Sequence, residues 1–129
     1  MFSRATLLFF LIVAPYCYAQ NIQRDDDFFD SLDVKANQHF TNGKYSKAIK
    51  TYQYALHNVE PKDSIKLIGY HLHIANQYQK KVMHDSALTY LKKAEKLLQN
   101  IPNDSLLATY KHQLTNYYFF KGQTDEAMK

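Results

Sequence analysis

The chain is predicted to be an all-α solenoid of helical hairpins, and two observations carry that prediction. First, one thirteen-residue stretch occurs three times without a gap. Ala36-Asn-Gln-His-Phe-Thr-Asn-Gly-Lys-Tyr-Ser-Lys-Ala48 aligns with Ala75-Asn-Gln-Tyr-Gln-Lys-Lys-Val-Met-His-Asp-Ser-Ala87 and with Thr115-Asn-Tyr-Tyr-Phe-Phe-Lys-Gly-Gln-Thr-Asp-Glu-Ala127. The shared columns are a small residue, an Asn, an aromatic or His two further on, Gly/Val/Gly and a closing Ala. The closing alanines lie 39 and then 40 residues apart, a period typical of stacked helical repeats. Second, apolar residues recur at a spacing of three or four, and no alternating strand pattern of any length is present.

Each helix has its own signals. Asp25-Asp26-Asp27-Phe28-Phe29-Asp30 reads as a helix start, with acids favoured by the N-terminal dipole. Three consecutive side chains on a helix diverge by about 100° each, so these aspartates do not converge on a cation. The first stripe is Phe28, Phe29, Leu32, Ala36, Phe40, and Gly43 ends it in the left-handed conformation that glycine adopts without steric cost. A second helix, 45–58, carries Ala48, Ile49, Tyr52, Ala55 and Leu56, its alanines allowing close approach of a neighbour. Pro61 punctuates, with Asp63 as N-cap, and Pro102-Asn103-Asp104-Ser105 repeats that punctuation. Between them run a helix over 64–81 (Ile65, Ile68, Leu72, Ala75, Tyr78) and one over 85–100 (Ala87, Leu88, Leu91, Ala94, Leu97, Leu98). A fifth is expected over 105–121, followed by a hairpin at Gly122.

Residues 1–19 read as a secretory signal peptide. Arg4 is followed by an apolar run from Ala5 to Ala14, Pro15 breaks it, and Cys17-Tyr18-Ala19 offers small residues at a cleavage site before Gln20. A spanning helix needs about 20 apolar residues, and this run is shorter. Residues 20–24 form a lead-in. Cleavage removes Arg4 from 16 basic residues, leaving 15 against 12 acids, a net charge of +3. It also removes the only cysteine, and with it any disulfide, thiolate nucleophile or Cys-based metal site. So mild a basic excess favours solubility and does not indicate nucleic-acid binding. The expected location is the periplasm or cell envelope, with membrane contact only if the signal stays uncleaved or the chain continues.

Gly43-Lys44-Tyr45-Ser46-Lys47-Ala48-Ile49, then Tyr52, Ala55-Leu56 and Pro61, resembles the hairpin and second helix of the tetratricopeptide repeat. Lys121-Gly122-Gln123-Thr124-Asp125-Glu126-Ala127 looks like the same hairpin again. The middle copy has Val82 for glycine and Leu91 for the aromatic, and the period is nearer 40 than the family's usual 34, similar to the longer-helix bacterial type. The resemblance implies a right-handed solenoid of about two and a half repeats over 20–129 (approximately 28–61, 64–101 and 105–129, the last incomplete). It further implies protein or peptide binding in a groove lined by the first helix of each repeat. Asn37, Asn76 and Asn116 then face that groove with Phe40 and Lys80; amides both donate to and accept from a peptide backbone. The positions one turn earlier, Asp33, Leu72 and His112, do not supply the cations of a carboxylate clamp.

No catalytic constellation stands out. His71 and His73 diverge by about 200° and do not form an i, i+4 zinc pair. The acids are scattered, and the tyrosines are read as inter-helix packing. Neither enzyme, metal nor cofactor is expected. Tyr117-Tyr118-Phe119-Phe120 places aromatics nearly all round the fifth helix, and Tyr117, Phe119 and Phe120 are expected to form an exposed partner patch prone to self-association. The expected function is an exported protein- or peptide-binding scaffold. The alternative is the N-terminal sensory part of a membrane-bound signalling regulator, a histidine kinase or DNA-binding transcription regulator, whose output domain lies outside these residues.

Overall fold

The computed structural model describes residues 25–129; the expected signal peptide and lead-in lie outside the described residues. The described residues form five helices: α1 (25–41), α2 (Tyr45–Asn58), α3 (Ser64–Lys80), α4 (His84–Leu98) and α5 (Asp104–Ala127). Among the described residues there is no strand, and the protein is all-α.

Short turns set the order. Gly43 stops α1 at φ +69°. Its N–H donates to the Phe40 carbonyl (2.9 Å) and that of Lys44 to the His39 carbonyl (2.8 Å), the paired bonds of a Schellman stop. The same pair closes α3, from Val82 to Gln79 (2.9 Å) and from Met83 to Tyr78 (2.9 Å). There a valine stands at φ +59°, where a β-branched side chain is strained. The expected Asp63 cap is present, its carboxylate accepting from the Lys66 N–H at 3.1 Å. Asn103 does the same for Leu106 at 3.0 Å, starting α5 one residue earlier than expected. The first hairpin is antiparallel, with Phe28 against Tyr54 (6.1 Å) at one end and Phe40 against Tyr45 (5.8 Å) at the other.

Two apolar clusters form the core, and α3 belongs to both. Phe29 and Ala36 of α1, Ala48, Ile49, Tyr52 and Ala55 of α2, and Tyr70 and Ile74 of α3 make the first. Ile68, Leu72 and Ala75 of α3, Leu91 and Ala94 of α4, and Tyr110 and Tyr117 of α5 make the second. Alanines 36, 48, 55, 75, 87 and 94 are fully enclosed, which brings the helix axes close. The stripe expected for α3 captured only one of its two buried faces. Tyr70, Ile74 and Gln77 are buried on the other, and Ile65 is 54% exposed. A helix covered on opposite sides has no single apolar stripe.

Two expectations about α5 are corrected. The helix does not stop near Lys121. It runs through Gly122 to Ala127, and Gly122 lacks the left-handed φ seen at Gly43. Among the described residues no helix packs behind α5, so continuing the backbone hydrogen-bond ladder satisfies the last amides. Tyr117 is not part of an exposed patch, being only 1% exposed. Leu106, Tyr110, Leu114 and Tyr117 follow a 4-4-3 spacing that turns them toward α3 and α4.

Candidate functional site

The end of α3 and the C-terminal half of α5 face each other across a cleft of ≈ 500 Å³. The Val82 stop positions one wall, where the last turn of α3 presents Asn76, Gln79 and Lys80 and the turn carries the chain on to His84. The opposite wall is α5, with Asn116, Phe120, Gln123 and Thr124. Gln79 fixes the spacing, its side-chain amide donating to the Gln113 carbonyl at 3.0 Å. Tyr117 packs beneath, its ring edge-on to His84 at 6.1 Å.

The electrostatics of this cleft are simple. Its lining holds amides, a hydroxyl, a histidine and the exposed Lys80 ammonium, but no carboxylate. Asn116 is partly engaged, with Nδ2 3.1 Å from His112 Nε2. The Thr124 hydroxyl donates its one proton to the Phe120 carbonyl at 2.9 Å. Toward His84 Nε2, at 3.3 Å, it therefore acts as acceptor, which assigns the proton to Nε2. His84 Nδ1 is buried without a partner.

Three of the five expected groove residues meet here: Asn76, Lys80 and Asn116. Asn37 does not join them. It lines a separate shallow cleft of ≈ 390 Å³ beside Val34 and Thr41, and its Oδ1 accepts from the Tyr52 hydroxyl at 3.1 Å. Phe40 lies in neither cleft; half-buried, it packs on the first core cluster. Of the expected aromatic patch, Phe119 and Phe120 are exposed and Tyr118 joins them at 62%. Phe120 is at once part of that patch and a wall of the cleft.

A smaller cleft of ≈ 150 Å³ separates α1 from α3, lined among others by Asp26, Asp30, Asp33, Lys66, Tyr70 and His73. Lys66 answers part of the negative charge, 3.7 Å from Asp26 and 4.3 Å above the Phe29 ring. Burial, reinforced by Asp33, pushes the Tyr70 hydroxyl well above the ordinary tyrosine range and that of Tyr52 up to about 12. Both stay protonated at neutral pH, and Tyr52 serves as a hydrogen-bond donor. His73 stacks on Tyr52 at 4.9 Å; burial lowers its pKa, with Asp33 pulling the other way. His71 turns elsewhere, toward Tyr90 at 5.8 Å. Burial, then nearby Lys93, pushes it down to about 4.

Among the described residues no three His, Cys, Asp or Glu side chains are grouped to hold a metal ion, and no helix is long and apolar enough to cross a membrane. Comparison with known proteins finds no matching family model, no similar curated sequence and no similar solved structure. Sequence reading missed Gln79, Val82, His84, Gln123 and Thr124 as cleft residues. The first three surround a turn and carry no periodic signal, and the last two were assigned to a hairpin that the structure continues as helix.

Proposed function

We propose that this is an exported, non-enzymatic interaction module of the tetratricopeptide-like kind, a right-handed solenoid that holds an extended stretch of another protein in the cleft between α3 and α5. The observation that carries the reading is the convergence of Asn76, Lys80 and Asn116, from two repeats, on one cleft. A peptide backbone offers alternating donors and acceptors, and paired side-chain amides answer both. Helices two apart also lie alongside one another, α1 with α3 through Phe29 and Tyr70 (6.0 Å) and α3 with α5 through Gln79. Stacked hairpins require that arrangement.

The test is an array of overlapping peptides tiled over envelope proteins of the source cell, probed with residues 20–129. Replacing Asn76 and Asn116 together by Ala should reduce bound signal more than about tenfold while helicity is unchanged, each lost amide contact being worth about 1 kcal/mol. Signal that survives the double substitution would place binding elsewhere. Cell fractionation tests export, which calls for a periplasmic band of mature size. A cytoplasmic band would overturn it, and a much larger membrane band would make these residues the sensory part of a longer regulator.

A further inference from the structure

The third copy of the repeated stretch has the hairpin sequence but not the hairpin conformation. Asn42-Gly43-Lys44 and Lys81-Val82-Met83 both stop their helices left-handed, at φ +69° and +59°. Each stop uses the same two backbone bonds, one from the left-handed residue and one from its successor. Lys121-Gly122-Gln123 occupies the corresponding place, and α5 passes straight through it. If valine accepts the left-handed stop at 82, glycine at 122 meets no steric barrier to it. The helical form, in contrast, is one that glycine supports about fivefold less well than alanine.

Among the described side chains, little holds the end of α5 in place. Beyond Gly122 its hydrogen bond to the body is His84 to Thr124 at 3.3 Å. The cleft of ≈ 500 Å³ lies on one side, and a second of ≈ 440 Å³, lined by Met83, Ser86, Lys121 and Met128 among others, on the other. Val82, His84 and Thr124 border both. The last turns of α5 are thus a wall with open space on either side.

We infer that Gly122 is a hinge, and that residues 123–128 exchange between the helix that walls the cleft and a form in which Gly122 turns left-handed and carries Thr124 out of it. The cleft is complete with the helix continuous and open along one side with Gly122 turned. The functional meaning of this gate rests on the cleft being the binding site; the exchange itself does not, and its test needs no ligand.

The test is residue-level amide exchange and ¹⁵N relaxation dispersion on residues 20–129. In the turned form the amides of Gly122 and Gln123 stay bonded to the Phe119 and Tyr118 carbonyls, as at the two earlier stops. Exchange rates should therefore step upward between Gln123 and Thr124, and dispersion on the μs–ms scale should appear at 121–125. A methyl group added at 122 meets nothing within 4 Å, so Gly122→Ala changes only backbone preference. It should slow exchange of Thr124–Met128 about fivefold and shrink both the step and the dispersion in proportion, whereas Gly122→Asn, which tolerates the left-handed region, should keep them. Rates that rise smoothly toward Lys129, with no step and no dispersion, would show simple fraying and overturn the hinge. Peptide binding lost in the Asn76 and Asn116 variant with the step intact would separate this inference from the proposed function.

Discussion

Helices α3 and α5 occupy equivalent places in the repeat, yet one is buried on two faces and the other on one. Aligned through Ala75 and Thr115, the α3 residues that meet α4 are Ile68, His71, Leu72, Ala75 and Tyr78; their α5 counterparts are Ala108, Lys111, His112, Thr115 and Tyr118. The first set is buried or half-buried, and every member of the second is exposed. The outward face of α5 is therefore polar over its first half and aromatic only beyond Tyr117. That face is suited to solvent over one half and to apolar contact over the other.

The largest expected effect separates the two helices in stability. Ile68 is fully enclosed, and Ile68→Ala should cost about 3 kcal/mol by urea denaturation. The sharper pair is a single residue type in one column. Tyr78 stacks on Tyr90 at 5.7 Å, so Tyr78→Ala should cost about 2 kcal/mol, whereas Tyr118→Ala should stay within about 0.5 kcal/mol. Equal losses at 78 and 118 would mean that α5 is covered as α3 is.

Next in size is a pH effect confined to α3. The column that holds exposed Lys111 on α5 holds His71 on α3, whose pKa falls from 6.5 to about 4 because burial disfavours the charged ring. The unfolded chain then binds a proton that the folded chain refuses. The contribution is complete above about pH 6.5 and is lost as pH falls toward 4, amounting to about 2 kcal/mol once its partly open edge is allowed for. Denaturation midpoints from pH 7 to 4.5 should flatten in His71→Leu; an unchanged slope would place the titration elsewhere.

This comparison also explains what the sequence could and could not tell. The stripes of α1, α2 and α4 were legible because each helix buries one face; Phe29, Ala36, Ile49, Tyr52, Leu91 and Ala94 lie where periodicity put them. Periodicity weakens on α3, where Tyr70 and Ile74 fill a second face. It misled on α5, where Tyr117 was grouped with exposed neighbours although its spacing from Tyr110 puts it in the core. For the cleft, Asn76, Asn116 and Lys80 followed from the aligned columns, but the alignment could not reveal that Tyr52 engages Asn37. Nor could it separate Gly122 from Gly43, since one glycine serves a stop and a continued helix equally well and only packing behind the helix decides.

A smaller effect concerns the turn of the middle repeat. Val82 accepts a left-handed backbone that costs an ordinary L-residue roughly 1–2 kcal/mol, offset in part by the chain entropy that glycine would add to the unfolded state. Val82→Gly should therefore stabilise the fold by about 0.5–1 kcal/mol in thermal denaturation. A loss of stability would mean that the 60% exposed valine side chain earns its place by contacts at the cleft.

The smallest change in stability, and the most direct probe of the half-polar end, comes from the aromatic half of α5. Tyr118, Phe119 and Phe120 are 62%, 59% and 49% exposed; the Phe119 and Phe120 rings meet edge-on at 5.4 Å, and exposed apolar surface of this kind drives association. Sedimentation velocity on residues 20–129 should show concentration-dependent association, and Tyr118→Ser with Phe119→Ser should abolish it while moving the melting temperature little. Both residues lie outside the cleft lining, so peptide binding by the proposed site should survive the change. If the unaltered protein remains monomeric at about 100 μM, the polar surface around Lys111, His112 and Thr115 suffices to keep this face of α5 in solvent. Tyr118 and Phe119 would then be surface residues without a role in association, leaving Phe120 to the cleft alone.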